Sequence, residues 1–169
     1  MAEEIVNRVA KSPLVTIYLE DYFPTNPRME IDIKDWLFEG IILKEKDFRA
    51  YLEEHNWEQY QDAFVSIFCS EDAIIPTWAY MLVATKVTPF AKKIMKGSKE
   101  ELENIVFQEI INNLDYSEFE GKPVIVKGCT SKPIPENVYV HLIEKLQPVA
   151  KSIMFGEACS TVPLFKKKK

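Results

Sequence analysis

The sequence predicts an α/β fold: a single domain with a mixed, mostly parallel sheet covered by helices, and a strand pair at the amino-terminal end. Three observations lead there. The chain has 169 residues, 47% hydrophobic and 28% charged with only five glycines, which suits one buried core without disulfides or a structural metal. Short β-rich apolar runs alternate with segments of helical period. After residue 60 the order strand, helices, strand, helix, strand favours parallel pairing with helical crossovers.

The first run, Leu14 to Leu19, is β-rich, and Met29, Ile31 and Ile33 alternate with Glu30, Asp32 and Lys34 as in a half-buried strand. Between them Pro24, Asn26 and Pro27 cannot continue a ladder, so Asp21 to Arg28 reads as a long turn joining a strand pair. An apolar patch, Trp36 to Leu43, is interrupted by Gly40. It leads into Glu45 to Trp57, where Phe48, Tyr51, Leu52 and His55 share a helical face.

Ala63 to Cys69 has the length of a strand buried on both faces, with Cys69 at its end. Ser70, Glu71 and Asp72 supply turn chemistry, and Thr77 to Thr88, apolar nearly all round, reads as a buried helix that ends or kinks at Pro89. Ser98 with Glu101 makes a capping box for a helix carrying Leu102, Ile105, Val106, Ile110 and Leu114. A further strand, Val124 to Val126, ends at Gly128 and Cys129. After the turn Thr130 to Pro135 a helix is expected from Glu136 to about Phe155, then a closing run Thr161 to Phe165. No fixed-period repeat, low-complexity segment or dividing linker is apparent, so residues 1–169 read as one domain with Lys166 to Lys169 as a flexible, solvated lysine tail.

Several function classes fall away. A net charge of -5 disfavours nucleic acid, whose phosphates need a basic surface. No apolar stretch reaches the roughly 20 residues of a membrane span, and Met1 to Ala10 lacks a basic-then-apolar leader, so a cytoplasmic protein is expected. There is no Walker loop, dinucleotide fingerprint, G-x-S-x-G elbow or H-E-x-x-H. The positions where a cysteine phosphatase would carry its arginine hold Ile75 and Pro135. Among carboxylates, Asp32, Asp35 and Glu39, and Glu71 with Asp72, read as caps and turns, Asp35 capping the Trp36-Leu37-Phe38 segment. His55 reads as a packing or capping residue, and His141 as exposed.

Cys69, Cys129 and Cys159 are the leading candidate site. In a parallel sheet Cys69 and Cys129 would share the carboxyl edge, where ligands bind, each facing a helix start that favours thiolate. Cys159-Ser160-Thr161 echoes Cys129-Thr130-Ser131 and Cys69-Ser70. Three such thiols suit iron, zinc or an iron-sulfur cluster, with an acidic residue, water or partner as fourth ligand. The competing interpretation is structural, because free cysteine commonly packs as a small hydrophobe and no C-x-x-C pair exists. A catalytic thiol at Cys129 comes third. The chain is expected to be an accessory protein rather than an enzyme.

The stretches Ile33-Lys34-Asp35-Trp36-Leu37-Phe38, Leu43-Lys44-Glu45-Lys46-Asp47-Phe48-Arg49, Pro76-Thr77-Trp78-Ala79-Tyr80-Met81-Leu82, Lys127-Gly128-Cys129 and Cys159-Ser160-Thr161-Val162-Pro163-Leu164 resemble a bacterial family catalogued as domain of unknown function 2480. The resemblance runs over nearly the whole chain. It implies an association with iron-sulfur cluster assembly and its proteins, with all three cysteines in or near the matching stretches. The alternative is a non-enzymatic interaction module whose cysteines are buried and whose lysine tail and exposed aromatics meet a protein partner.

Overall fold

A computed structural model describes residues 13–128, 131–157 and 159–168. The elements, in chain order, are β1 (Val15–Tyr18), β2 (Arg28–Asp32), α1 (Glu45–Glu54), β3 (Phe64–Phe68), α2 (Thr77–Val87), β4 (Lys93–Lys96), α3 (Lys99–Asn113), β5 (Pro123–Lys127), α4 (Glu136–Leu146), β6 (Ser152–Glu157) and β7 (Ser160–Lys166). The class is mixed α/β, and every strand pair is parallel except β6 with β7.

The strands form two sheets, ordered β1-β5-β6-β7 and β2-β3-β4. The contacts divide the chain into two compact units, one of residues 24–106 and the other of the residues flanking them, with α3 crossing the boundary. We call residues 24–106 the inserted unit and the flanking part the host unit. The two expected amino-terminal strands are present, each as an edge of its own sheet: β1 pairs with β5 and β2 with β3.

The units are two versions of one design. Shifted by 59 residues, β3 becomes β5, α2 becomes α4, and the start of β4 becomes the start of β6. The 3-10 turns Glu58–Tyr60 and Ser117–Phe119 correspond at the same shift. Buried Phe48 matches buried Phe107, Leu52 matches Ile111, Val83 matches Leu142 and Val87 matches Leu146. Trp57 Nε1 donates to the Leu52 carbonyl at 2.8 Å, and Tyr116, at the matching place, donates its hydroxyl to Ile111 at 2.8 Å. Asp62 and Gly121 both take positive φ, and their N–H groups donate to Phe90 and Val149 at 2.9 Å each. Pro76, Tyr80, Pro89, Ala91, Ile94 and Gly97 recur as Pro135, Tyr139, Pro148, Ala150, Ile153 and Gly156.

The absence of a repeat, expected from the sequence, is thereby corrected. The first strands break the spacing: β1 and its 3-10 turn Leu19–Tyr22 precede β2 and Ile33–Trp36 by only 14 residues. The inserted unit interrupts the host unit between that first strand and the rest, so no tandem period survives.

Each unit buries its own core. Ile31, Phe48, Leu52, Val65, Ile67 and Val83 anchor the inserted unit, and Ile17, Phe107, Ile111, Val124, Leu142 and Ile153 the host unit. β3 and β5 are central strands covered on both faces, hence their continuous apolar runs.

Several boundaries differ from expectation. α1 ends at Glu54, and Trp57 lies beyond it. α4 stops at Leu146 because Pro148 cannot continue the helix, and the residues expected to extend it to Phe155 form β6. β4, with only Ile94 and Met95 between lysines, was too short to register as a strand. α2 buries Ala79, Val83 and Val87 but exposes Met81, so it is not apolar-covered all round. The lysine run begins within the sheet: Lys166 closes β7, and Lys167 N–H donates to Lys151 at 2.9 Å. Lys169 lies outside the described residues.

Candidate functional site

In the inserted unit the strand ends open on a cleft of about 540 Å³ lined by Glu30, Phe68, Cys69, Tyr80, Lys96, Gly97, Ser98, Lys99 and Glu100. The cleft sits at the carboxyl edge of parallel strands, where α/β proteins bind ligands. Cys69 follows the last residue of β3, Tyr80 comes from α2, Lys96 ends β4, and Ser98 to Glu100 begin α3. The capping box forms as expected: Ser98 N–H donates to Glu101 at 2.7 Å and Glu101 N–H to Ser98 Oγ at 3.2 Å. Gly97 takes φ +149°, a backbone conformation that strains any other residue, and a Cβ there would also push on the Glu101 carboxylate, 2.5 Å away.

The charges of the cleft are partly committed. Lys99 pairs with Glu30 at 2.7 Å. The Lys96 ammonium lies 5.4 Å from the Tyr80 ring centroid. Burial, reinforced by the neighbouring Cys69 and Asp32, pushes the Tyr80 hydroxyl above its ordinary range, so it remains a neutral donor. Asp32 fixes the loop after β3 by accepting from Ser70 N–H at 3.1 Å while capping the 3-10 turn through Lys34 N–H at 3.1 Å. Burial alone would raise this carboxyl; the hydrogen bonds from Ser70 and Lys34 outweigh it and hold it low. The cap expected at Asp35 is therefore made by Asp32. In the host unit Glu20 plays the latch, accepting from Ser131 N–H at 2.9 Å, Ser131 Oγ at 2.8 Å and Lys132 N–H at 3.2 Å.

The predicted cysteines are distributed as follows. Cys69 is half-buried, lies in the inserted unit and lines the cleft together with the start of α3. Cys159 belongs to the host unit, is exposed, and sits between β6 and β7, which corrects its expectation as a buried structural residue. Cys129 lies outside the described residues. Among the described residues no group of three His, Cys, Asp or Glu side chains could hold a metal ion.

Neither histidine takes part in the cleft. His55 packs against Trp36, Trp57 and Tyr60, with Nε2 3.0 Å from the Tyr60 hydroxyl. Burial lowers its basicity. His141 is half-buried rather than exposed, 3.1 Å from Glu144 and 3.3 Å from Asn112.

A second feature of the inserted unit was not foreseen. Phe38 and Ile42 exchange backbone hydrogen bonds of 2.8 and 3.0 Å across a three-residue tip, Glu39-Gly40-Ile41, with φ of 51° at Glu39 and 73° at Gly40. Glu39 and Gly40 both take positive φ, and holding non-glycine Glu39 there costs roughly 1–2 kcal/mol. The turn projects Phe38, Ile41 and Ile42, which stay 43%, 54% and 48% exposed. Its base is anchored by buried Trp36 and Leu37. The Lys44 ammonium caps the Phe38 ring at 3.0 Å from its centroid. The signal available in the sequence was Glu39-Gly40 flanked by apolar residues, a short hairpin pattern obscured by the continuous apolar patch around it.

A family model described as a protein of unknown function, DUF2480, matches residues 3–167. The chain belongs to that family. Searches of curated proteins and of solved structures each found no match. The DUF2480 match spans both units, including the hairpin and the cleft. Among the described residues no helix is long and apolar enough to cross a membrane.

Proposed function

We propose that this DUF2480 protein is a non-enzymatic interaction module that presents Phe38, Ile41 and Ile42 to an apolar pocket on a protein partner. The carrying observation is the hairpin itself: three large apolar side chains held outward, on a turn that includes a strained residue and is anchored by Trp36 and Leu37. Single exposed apolar residues are ordinary, whereas adjacent ones on a preorganised tip lose little entropy on docking. Covering the remaining half of each side chain contributes about 1 kcal/mol apiece, or about 3 kcal/mol and roughly 100-fold in affinity for the three.

The test is photo-crosslinking in cells from p-benzoylphenylalanine at position 41 or 42, with position 122 on the host unit as control. A discrete adduct from the hairpin and none from position 122 is expected. Equal labelling from both places, or none, would remove this function.

A second reading, thiolate handling of iron, zinc or an iron-sulfur cluster alongside assembly proteins, is favoured by one observation. The two described cysteines are reachable, Cys69 on an open cleft and Cys159 exposed. It is tested by metal and sulfide analysis after anaerobic reconstitution of the full chain and of Cys69→Ser, Cys129→Ser and Cys159→Ser. Stoichiometric metal lost with these substitutions supports it. No bound metal in the wild type ends it.

A further inference from the structure

The host unit suggests what fills the cleft of the inserted unit. At the 59-residue shift, Cys69, Tyr80, Lys96 and Gly97 correspond to Gly128, Tyr139, Phe155 and Gly156. In the host unit the Phe155 ring stands edge-on to Tyr139, with centroids 6.1 Å apart and an interplanar angle of 86°. It lies so close over Gly128 that a Cβ there would meet its Cζ at 3.0 Å. An aromatic ring thus covers the end of the central strand.

The inserted unit keeps the tyrosine and loses the ring. Lys96 replaces Phe155, a thiol replaces the glycine hydrogen, and the place is an open cleft of about 540 Å³. Among the described residues Lys96 forms no ion pair. Glu101 is engaged with Ser98 N–H at 2.7 Å, and Glu30 with Lys99 at 2.7 Å. What remains is a tyrosine ring with the Lys96 ammonium 5.4 Å from its centroid, a thiol edge, and two carboxylates, Glu101, which attracts Lys96, and the exposed Glu100.

From this we infer that the cleft binds a small aromatic acid, whose ring takes the place that Phe155 fills in the host unit and whose anionic group meets Lys96. An aromatic ring prefers the edge-to-face contact a tyrosine offers, and a ligand carboxylate would make with Lys96 the charge-assisted hydrogen bond that no described carboxylate makes at ion-pair distance. The mixed lining of apolar surface and few directed polar groups is that of a small-molecule site.

The experiment uses the full-length protein and three probes: 1-naphthoate, 1-naphthylmethylamine and cyclohexanecarboxylate. Binding is followed by NMR at the backbone amides of Tyr80, Gly97 and Ser98. Saturable shifts at these amides with 1-naphthoate are expected, with the aromatic amine and the non-aromatic acid at least tenfold weaker. Cys69→Gly with Lys96→Phe, which installs the host unit's own plug, should weaken naphthoate at least tenfold. Lys96→Met serves if that double variant does not fold, and should bring naphthoate and the amine within threefold of each other. No saturable shift at these amides, equal binding of all three probes, or undiminished binding in the folded variants would overturn the assignment.

Discussion

Arg28 ties the first strand of the inserted unit to α3, the helix whose start walls the cleft. Its Nε lies 2.6 Å from Glu103 Oε1 and its Nη2 3.1 Å from Oε2, a bidentate pair. A further donor reaches the carbonyls of Pro24 and, at 2.8 Å, Asn26, and the guanidinium lies 5.1 Å from the Phe64 ring centroid. The side chains are 18% and 9% exposed. Removing one member of a buried pair costs about 3–5 kcal/mol, because the other charge is stranded. Arg28 retains some solvent, which puts Arg28→Met near the lower end, about 3 kcal/mol. Glu103→Gln keeps an acceptor and the carbon skeleton, and should cost about 1–2 kcal/mol. Arg28→Met with Glu103→Met strands no charge, so it should cost less than the sum, with a coupling of about 1–3 kcal/mol.

Urea unfolding followed by tryptophan fluorescence suits the measurement, since Trp36, Trp57 and Trp78 all lie in the inserted unit. With a slope of about 1.5 kcal/mol/M, the Arg28→Met midpoint should fall by roughly 2 M. A shift below about 0.5 M, or strict additivity in the double variant, would refute the claim that this pair is a desolvated, cooperative tie.

Other expectations follow from single groups. His55, less basic when folded because it is buried, binds fewer protons than in the unfolded chain. Its contribution is therefore fully present above the unfolded value, about 6.5, and declines as pH falls below it; urea midpoints from pH 7.5 to 5 should lose part of their slope in His55→Gln. Tyr116 is pushed up to about 12 by burial, then by Tyr22, so stability should fall as pH rises from about 10 to 12 as the unfolded tyrosine ionises first. Tyr116→Phe should lessen that fall, to which Tyr22, Tyr60 and Tyr80 also contribute, and cost about 1 kcal/mol at neutral pH through the lost bond to Ile111, read by thermal melts. Gly156→Ala should destabilise more than Gly40→Ala in the same melts. Both have positive φ, but only at Gly156 would the Cβ strike backbone, Ser160 O at 2.7 Å.

What could be read in the sequence is what local chemistry decides. The capping box at Ser98 and Glu101, the central strands around residues 65 and 125, and the parallel class follow from spacing and composition alone. The duplication was hidden for two reasons. Equivalent first strands lie 14 residues apart while the other elements lie 59 apart, and the matching cores substitute freely, as Leu52 for Ile111 or Val87 for Leu146. β4 was missed because a four-residue strand gives hardly any alternation. For the candidate site, the position of Cys69 at a strand end was legible, but the groups it meets, Lys96 and Ser98, are distant in sequence and arrive only through the crossover by α2. The hairpin was overlooked because apolar residues normally signal burial, and only its geometry reveals that Phe38, Ile41 and Ile42 face outward.

The interaction role is tested most directly by the size at which the protein travels in gently lysed cells. Size-exclusion chromatography should find the native chain in a species larger than the purified protein, and Phe38→Ser with Ile41→Ser and Ile42→Ser, whose fold should be intact by circular dichroism, at the size of the purified protein. Identical elution of the native and triply substituted chains would contradict the docking role of the hairpin.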